Sequence, residues 1–332
     1  MEINEIIKEF KSRQTKPIYF FHGEEPFYID QGIEAAMEYT LEDHEKDFNQ
    51  SVMYGKDVDL NALLEELKQF PMMAEKRLVV LKEAQEVKDW SALENYFDNP
   101  SPTTLFVIGH KYKKADARKK YFKSIQKNGF IFESKKVYEN QLDTWIKNYL
   151  KSKGYTITLK AAILLIDFLG NDLSKIAREL DKLSIILEKG TEISEVHIEE
   201  NIGISKDYNP FELSSAIAKR DVLKAQKIIN YFEQNPKATH ITVVIPTIFS
   251  LFERLMKAHF LGTGDIKQLQ MSLGINYFVA QEIMKAKTIY KPKKIAMNIS
   301  LLHEYDLKSK GVNRGAASDS DLMREMIYQL MH

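Results

Sequence analysis

A chain of 332 residues is roughly two to three times the length of a usual single-core domain, so it has room for more than one core. Lys and Arg total 47 against 47 Asp and Glu, a formal net charge of zero, which argues against a free-standing nucleic-acid coat or a membrane-surface binder but leaves room for a local basic face. The absence of cysteine excludes a disulfide scaffold, a thiolate zinc site, a Cys nucleophile and an iron–sulfur cluster, and fits a reducing, cytoplasmic setting.

The opening MEINEIIKEFKSRQ interleaves acids and bases, unlike the basic-then-apolar order of a secretory signal. No apolar stretch approaches the ~20 residues that span a bilayer. From residue 17 to about 134, short β-branched and aromatic runs alternate with helical patterns. PIYFF at 17–21, the run at 48–54, RLVVL at 77–81, TTLFVI at 103–108 and FIFE at 130–133 are mostly apolar on both faces, as buried parallel strands are. Helical stretches lie between them, including 60–70 and 115–128. The expectation is an α/β domain built on a parallel five-stranded sheet.

Beyond Val137 every strong pattern has a helical period. Over 172–187 the apolar stripe is Leu173, Ile176, Ala177, Leu180, Leu183 and Leu187, with Asn171 or Asp172 as cap and Gly190 as terminator. With 141–150 and 159–169 this makes a three-helix unit. NIGISKDYNP at 201–210 punctuates the chain, and further helical patterns follow at 211–219, 221–234, 241–260, 266–273, 277–288, 293–307 and 322–331. Pro246 is expected to start or kink the third of these. The implied boundaries are 1–138, 139–207 and 208–332.

The first strand runs into HGEEPFYIDQG at 22–32, where a P-loop ATPase carries G-x-x-x-x-G-K-[ST]. Aligning Gly23 with the first glycine puts Tyr28 at the second, Ile29 at the lysine and Asp30 at the magnesium-binding hydroxyl. Tyr28 blocks backbone approach, Ile29 carries no charge and Asp30 repels phosphate, as do Glu24 and Glu25. The fourth strand offers Gly109 and His110 where a Walker B acid belongs. Nucleotide binding is not expected, and Gly23 reads equally as a tight turn after a strand.

These features, together with five segments in order, resemble the delta subunit of the bacterial DNA polymerase III clamp loader: YFFHGEEPFYID (19–30), QFPMMAEKRLVVLKEA (69–84), GNDLSKIARELDKL (170–183), FELSSAIAKRDVLKAQKII (211–229) and LLHEYDLKSKG (301–311). The resemblance implies a degenerate AAA+ α/β domain at 1–138, a three-helix lid at 139–207 and a helical collar at 208–332. It implies a subunit that binds and opens the sliding beta clamp for DNA replication. Its partners would be ATP-binding motor subunits, delta-prime and primer–template DNA, and it would have no catalytic residue, cofactor, metal or membrane contact of its own. The family's clamp-binding element falls on Phe70, Pro71, Met72 and Met73, an apolar cluster at a helix-to-strand turn whose methionines suit an adaptable contact.

KYKKADARKKYFK at 111–123 holds seven basic residues and one acid. Lys113, Lys114, Arg118, Lys119 and Lys120 are candidate DNA-phosphate contacts, against the plainer reading of a solvated helix face. The histidines at 22, 44, 110, 197, 240, 259, 303 and 332 form no HExxH or similar spacing. A delta-prime-like subunit is the alternative, but its cysteine zinc module and Ser-Arg-Cys motif need a residue this chain lacks. An active ATPase or nucleotidyltransferase lacks the lysine, hydroxyl and acid noted above, and no two-metal carboxylate site is evident. Such subunits are nonetheless often labelled with the polymerase activity of their holoenzyme.

Overall fold

The computed structural model describes residues 3–203, 205 and 207–332, and it divides into two compact units, Met1–Val137 and Tyr138–His332. Ile204 and Lys206, within the punctuating segment at 201–210, lie outside the described residues.

The first unit runs α1 (Ile3–Lys11), β1 (Ile18–Gly23), α2 (Pro26–Tyr39), α3 (Asp43–Asn49), β2 (Gln50–Tyr54), α4 (Leu60–Lys68), β3 (Arg77–Lys82), α5 (Glu94–Asp98), β4 (Thr104–His110), α6 (Lys120–Asn128) and β5 (Phe130–Ser134). Its strands form a parallel five-stranded sheet in the order β2-β3-β4-β1-β5. Alternate residues supply two cores. Tyr19, Phe21, Leu78, Val80, Leu105 and Val107 face Ile6 and Phe10 of α1 and Ile29 and Ile33 of α2. Ile18, Phe20, Val79, Leu81, Phe106 and Ile108 face Leu63 and Leu67 of α4, Phe97 of α5 and Phe122 and Ile125 of α6. Burial on both faces is why these strands read as unbroken apolar runs. Gly32 lets α2 lie close, since a Cβ there would sit 2.5 Å from the Phe21 ring.

The second unit begins with α7 (Glu139–Lys153), β6 (Thr156–Ile157), α8 (Leu159–Leu169), α9 (Leu173–Ile186), β7 (Glu192–Ile193) and α10 (Glu195–Ile202). The Asp172 carboxylate caps α9 by accepting the Lys175 N–H at 3.0 Å, and the stripe Leu173, Ile176, Ala177, Leu180 and Leu183 is buried. It continues with α11 (Pro210–Ala218), α12 (Val222–Gln234), α13 (Ile241–Leu261), α14 (Ile266–Leu273), α15 (Tyr277–Ile289), α16 (Pro292–Ser309) and α17 (Asp319–Met331). These last helices share one core, with Phe232, Phe252, Leu255, Leu302, Tyr305 and Met326 among its buried members. Within this unit Arg254 of α13 donates to both carboxylate oxygens of Glu139 at the start of α7, at 3.1 and 3.0 Å.

Several local expectations give way. The run at 48–54 is not all strand: Phe48 and Asn49 end α3, and β2 starts at Gln50. α6 starts at Lys120 rather than at 115, because the Asp116 carboxylate takes both the backbone N–H and the guanidinium of Arg118 and fixes a turn ahead of the helix. α4 stops at Lys68, short of Phe70. α13 runs on through Pro246, so this proline does not start the helix. The segment at 139–207 carries, besides the three expected helices, the short α10 and a two-residue parallel pairing of β6 with β7. Ile198 is the buried residue of α10, too sparse a stripe to read from sequence. Among the described residues no helix is long and apolar enough to cross a membrane.

Candidate functional site

The loop at 69–76 enters β3 at the amino end of the sheet, whereas Gly23 closes β1 at the carboxyl end. At about 3.3 Å per residue, these two sites lie roughly 20 Å apart, at opposite ends of the strands of one parallel sheet.

The apolar loop is held outward by its backbone. Thr104 donates to the Leu67 carbonyl at 3.1 Å, at the end of α4. Beyond this point Phe70 is 83% exposed, Met72 58% and Met73 96%, with Pro71 partly covered. Asn49, fully buried at the end of α3, grips Met72 from both sides: its amide donates to the Met72 carbonyl at 2.9 Å, and its carbonyl accepts the Met72 N–H at 2.7 Å. Met73 follows with φ +53°, in the left-handed region, and Ala74 turns back to pack on the core. Lys76 donates to the Thr15 hydroxyl at 2.9 Å, and burial lowers its ammonium pKa.

A polar frame supports this loop. Arg77, the first residue of β3, donates to the Phe48 carbonyl at 2.9 Å and pairs with Glu66 of α4. Ser51 of β2 donates to the same carboxylate at 2.8 Å. Partial burial pushes the Glu66 carboxyl up, but the hydrogen bonds from Arg77 and Ser51 outweigh it and the net shift is downward. Phe48 is itself 62% exposed, beside the residue that grips Met72. Asn49, Ser51, Glu66 and Arg77 escaped the sequence reading. Asn49 and Met72 are 23 residues apart and no local spacing links them.

At the other end of the sheet the phosphate-loop position is occupied by the protein itself. The Glu24 N–H donates to the Ser134 carbonyl at 2.9 Å, and the Ser134 hydroxyl donates to the Glu25 carbonyl at 2.7 Å. The Glu25 carboxylate accepts the Phe27 N–H at 3.2 Å, filling the start of α2 where a P-loop would seat phosphate. Gly23 has φ +139°, and a Cβ there would lie 2.0 Å from the Ser134 carbonyl oxygen, so this glycine serves the close approach of β1 and β5. Ile29 is fully buried against the sheet, Tyr28 packs partly on the same core, and Asp30 pairs with Lys111 at 2.6 Å.

The basic segment closes over this end. Lys113 bridges antiparallel to Gly23, and the Lys111 N–H donates to Gln85 at 2.9 Å. Lys114 pairs with Glu133 at 2.6 Å, Arg118 with Asp116 at 2.9 Å and Lys120 with Glu94 at 2.7 Å. Lys113 and Lys119 are exposed and, among the described residues, make no salt bridge. Beneath lie His22 and His110, paired across β1 and β4. The Ala115 N–H donates to Nδ1 of His22 at 3.2 Å, leaving no room for a proton there. Burial, the larger cause, lowers the His22 pKa to about 4, and burial also lowers that of His110. The five basic candidates therefore lie toward the end of the sheet opposite residues 70–73.

A family model described as DNA polymerase III, delta subunit, matches residues 19–135, a span holding both the apolar loop and the closed phosphate loop. The DNA polymerase III subunit delta of Bacillus subtilis is 26% identical over 317 residues, covering 92% of this chain and 91% of that protein. Along nearly its whole length, the chain resembles DNA polymerase III delta subunits. The solved structure of a Bacillus subtilis DNA clamp loader delta protein superposes with a TM-score of 0.68 at 25% identity, covering 99% of each chain. The likeness thus extends beyond the sheet to the helical second unit. The first unit is the parallel five-stranded sheet that the resemblance implies, and the relatives carry the delta name rather than the delta-prime name.

Proposed function

We propose that this chain is the clamp-opening component of a clamp loader, and that Phe70, Pro71, Met72 and Met73 are its contact with the sliding beta clamp. The observation that carries the reading is the outward display of three large apolar side chains on a backbone fixed by Asn49. Exposed apolar side chains gain about 1.5–3 kcal/mol each when a partner buries them, less the rotamer freedom they lose, while the backbone that carries them is already ordered. Residues 1–138 act as the sheet domain that presents the loop, 139–207 as a lid and 208–332 as a collar. ATP-binding motor subunits and delta-prime assemble with it in the cytoplasm and supply the nucleotide chemistry, because the Glu24 amide and the start of α2 are already engaged within this chain. Primer–template DNA is met in that assembly, with Lys113 and Lys119 the freest of the basic candidates and Lys114, Arg118 and Lys120 already neutralised by carboxylates.

The test is the double substitution Met72→Ser with Met73→Ser. Both side chains are exposed, so the fold is retained, while clamp binding weakens by at least about 2 kcal/mol, the scale of an interface hot spot. Unchanged affinity for the cognate clamp in a folded double variant, measured by calorimetry or surface binding, overturns the assignment.

A further inference from the structure

We propose that Met72 and Met73 form a reversible oxidation switch: conversion of their thioethers to sulfoxides by hydrogen peroxide releases the chain from the clamp, and enzymatic reduction restores binding. The switch rests on the clamp-binding reading and extends it to the regulation of that same loop.

Accessibility singles these residues out. Met73, at 96% exposure, is the most open methionine among the described residues, and Met72 beside it is 58% exposed. Met323, Met326 and Met331 are sealed in the core of the second unit. Met271 and Met297 are also open, but they lie on α14 and α16 in the second unit. The loop cannot withdraw its sulfurs. Asn49 fixes the Met72 backbone on both sides, Met73 is set in the left-handed region, and the partly buried Ala74 packs on the core immediately after it.

The chemistry is a two-electron oxygen transfer. A sulfur lone pair attacks one oxygen of hydrogen peroxide, the S–O bond forms as the O–O bond breaks, and the departing hydroxide takes the remaining proton to leave as water. Sulfur is oxidised, peroxide is reduced, and methionine sulfoxide reductases reverse the change, one enzyme for each sulfoxide epimer. A flexible apolar side chain becomes a polar one with a strong acceptor oxygen. In a contact that works by burying apolar surface, that oxygen must be desolvated without a donor prepared for it.

The experiment treats the full chain with hydrogen peroxide, removes the oxidant with catalase and measures binding to the untreated cognate sliding clamp. Oxidation is located by mass in the tryptic peptide QFPMMAEK, residues 69–76, which holds both methionines. Expected are modification of that peptide, at least a tenfold loss of affinity, and recovery after treatment with both sulfoxide reductases. The variant Met72→Leu with Met73→Leu, which keeps apolar volume and cannot be oxidised, should show the same affinity before and after peroxide, whatever its starting affinity. The switch is overturned if the peptide stays unmodified while Met271 and Met297 oxidise, if a fully oxidised loop binds like the untreated one, or if the leucine variant loses binding to peroxide equally. Failure of the clamp reading looks different: the serine double variant would then bind the clamp like the native chain without any oxidant.

Discussion

The side-chain amide of Asn49 makes two hydrogen bonds to the backbone of Met72, one in each direction, and so sets the shape of the exposed loop from inside the protein. A third bond, to the Glu45 carbonyl at 3.0 Å, ties the same amide to α3. Asn49→Ala should cost about 1–2 kcal/mol of stability in denaturant unfolding, at the lower end for lost buried partners because water can reach the loop. Clamp affinity should fall about tenfold although Asn49 itself is buried. Asn49→Asp keeps the acceptor for the Met72 N–H but sets a buried carboxylate against the Met72 and Glu45 carbonyls, and should cost at least as much stability as Asn49→Ala. Native affinity in a folded Asn49→Ala chain would show that the loop holds its shape without this grip.

Arg77 and Glu66 make the second prediction. Arg77 is nearly buried, so replacing Glu66 by Leu strands a guanidinium whose main remaining partners are the Phe48 carbonyl and Ser51. A loss of about 3 kcal/mol is expected, since breaking one side of a buried pair leaves an uncompensated charge. The Glu66 carboxyl sits below its ordinary value in the folded chain, so its contribution is full above about pH 4.5 and fades as pH falls. Urea unfolding of Glu66→Leu and native chains at pH 7 and pH 4 should show the gap narrowing at the lower pH.

His22 gives an acid sensitivity of the same sign, starting at a higher pH. Its folded pKa, about 4, lies below the ordinary 6.5, so the unfolded chain takes up the proton first. The stability it confers is complete above about 6.5, declines as pH falls from there toward 4, and declines no further below. One group shifted this far accounts for about 3 kcal/mol over that window. His22→Asn, which keeps an acceptor for the Ala115 N–H, should flatten the native decline between pH 6.5 and 4 in denaturant titrations. Equal slopes for both proteins would remove His22 as its source.

Lys113 and Lys119 separate DNA contact from fold maintenance. Lys113→Glu with Lys119→Glu breaks no salt bridge among the described residues and should leave thermal unfolding close to native. In the assembled loader it should weaken primer–template binding at least tenfold and make the logarithmic salt dependence shallower by roughly two. Lys114→Glu, by contrast, sets a carboxylate against Glu133 and should lower stability instead. Unchanged primer–template affinity in the Lys113 and Lys119 variant would assign both lysines to solvent.

Legibility in the sequence followed the range of the forces involved. β1, β3 and β4 are readable because burial on both faces leaves an apolar run with little polar interruption, and β5 because Phe130, Ile131 and Phe132 pack partly on the same two cores. Phe48 misled because an exposed aromatic at the end of α3 looks like the first residue of the strand that follows. The start of α6 was misplaced because Asp116 prefers its own turn to a helical interior. The apolar cluster at 70–73 stood out locally, while the groups that hold it could not, since each comes from a different element.

By itself the sequence determined the chemistry this chain lacks. With no cysteine there is no thiolate, and with Tyr28, Ile29 and Asp30 in the phosphate-loop frame there is neither lysine nor hydroxyl for a nucleotide. Residue type alone fixes such absences. Tertiary structure alone decided what the remaining groups face. It turned Met72 and Met73 outward on the Asn49 grip, spent the Glu24 amide on Ser134, and set Lys111 and Lys114 against Asp30 and Glu133. These contacts join residues far apart in the chain, and they form only when the parallel sheet brings the ends of its strands together.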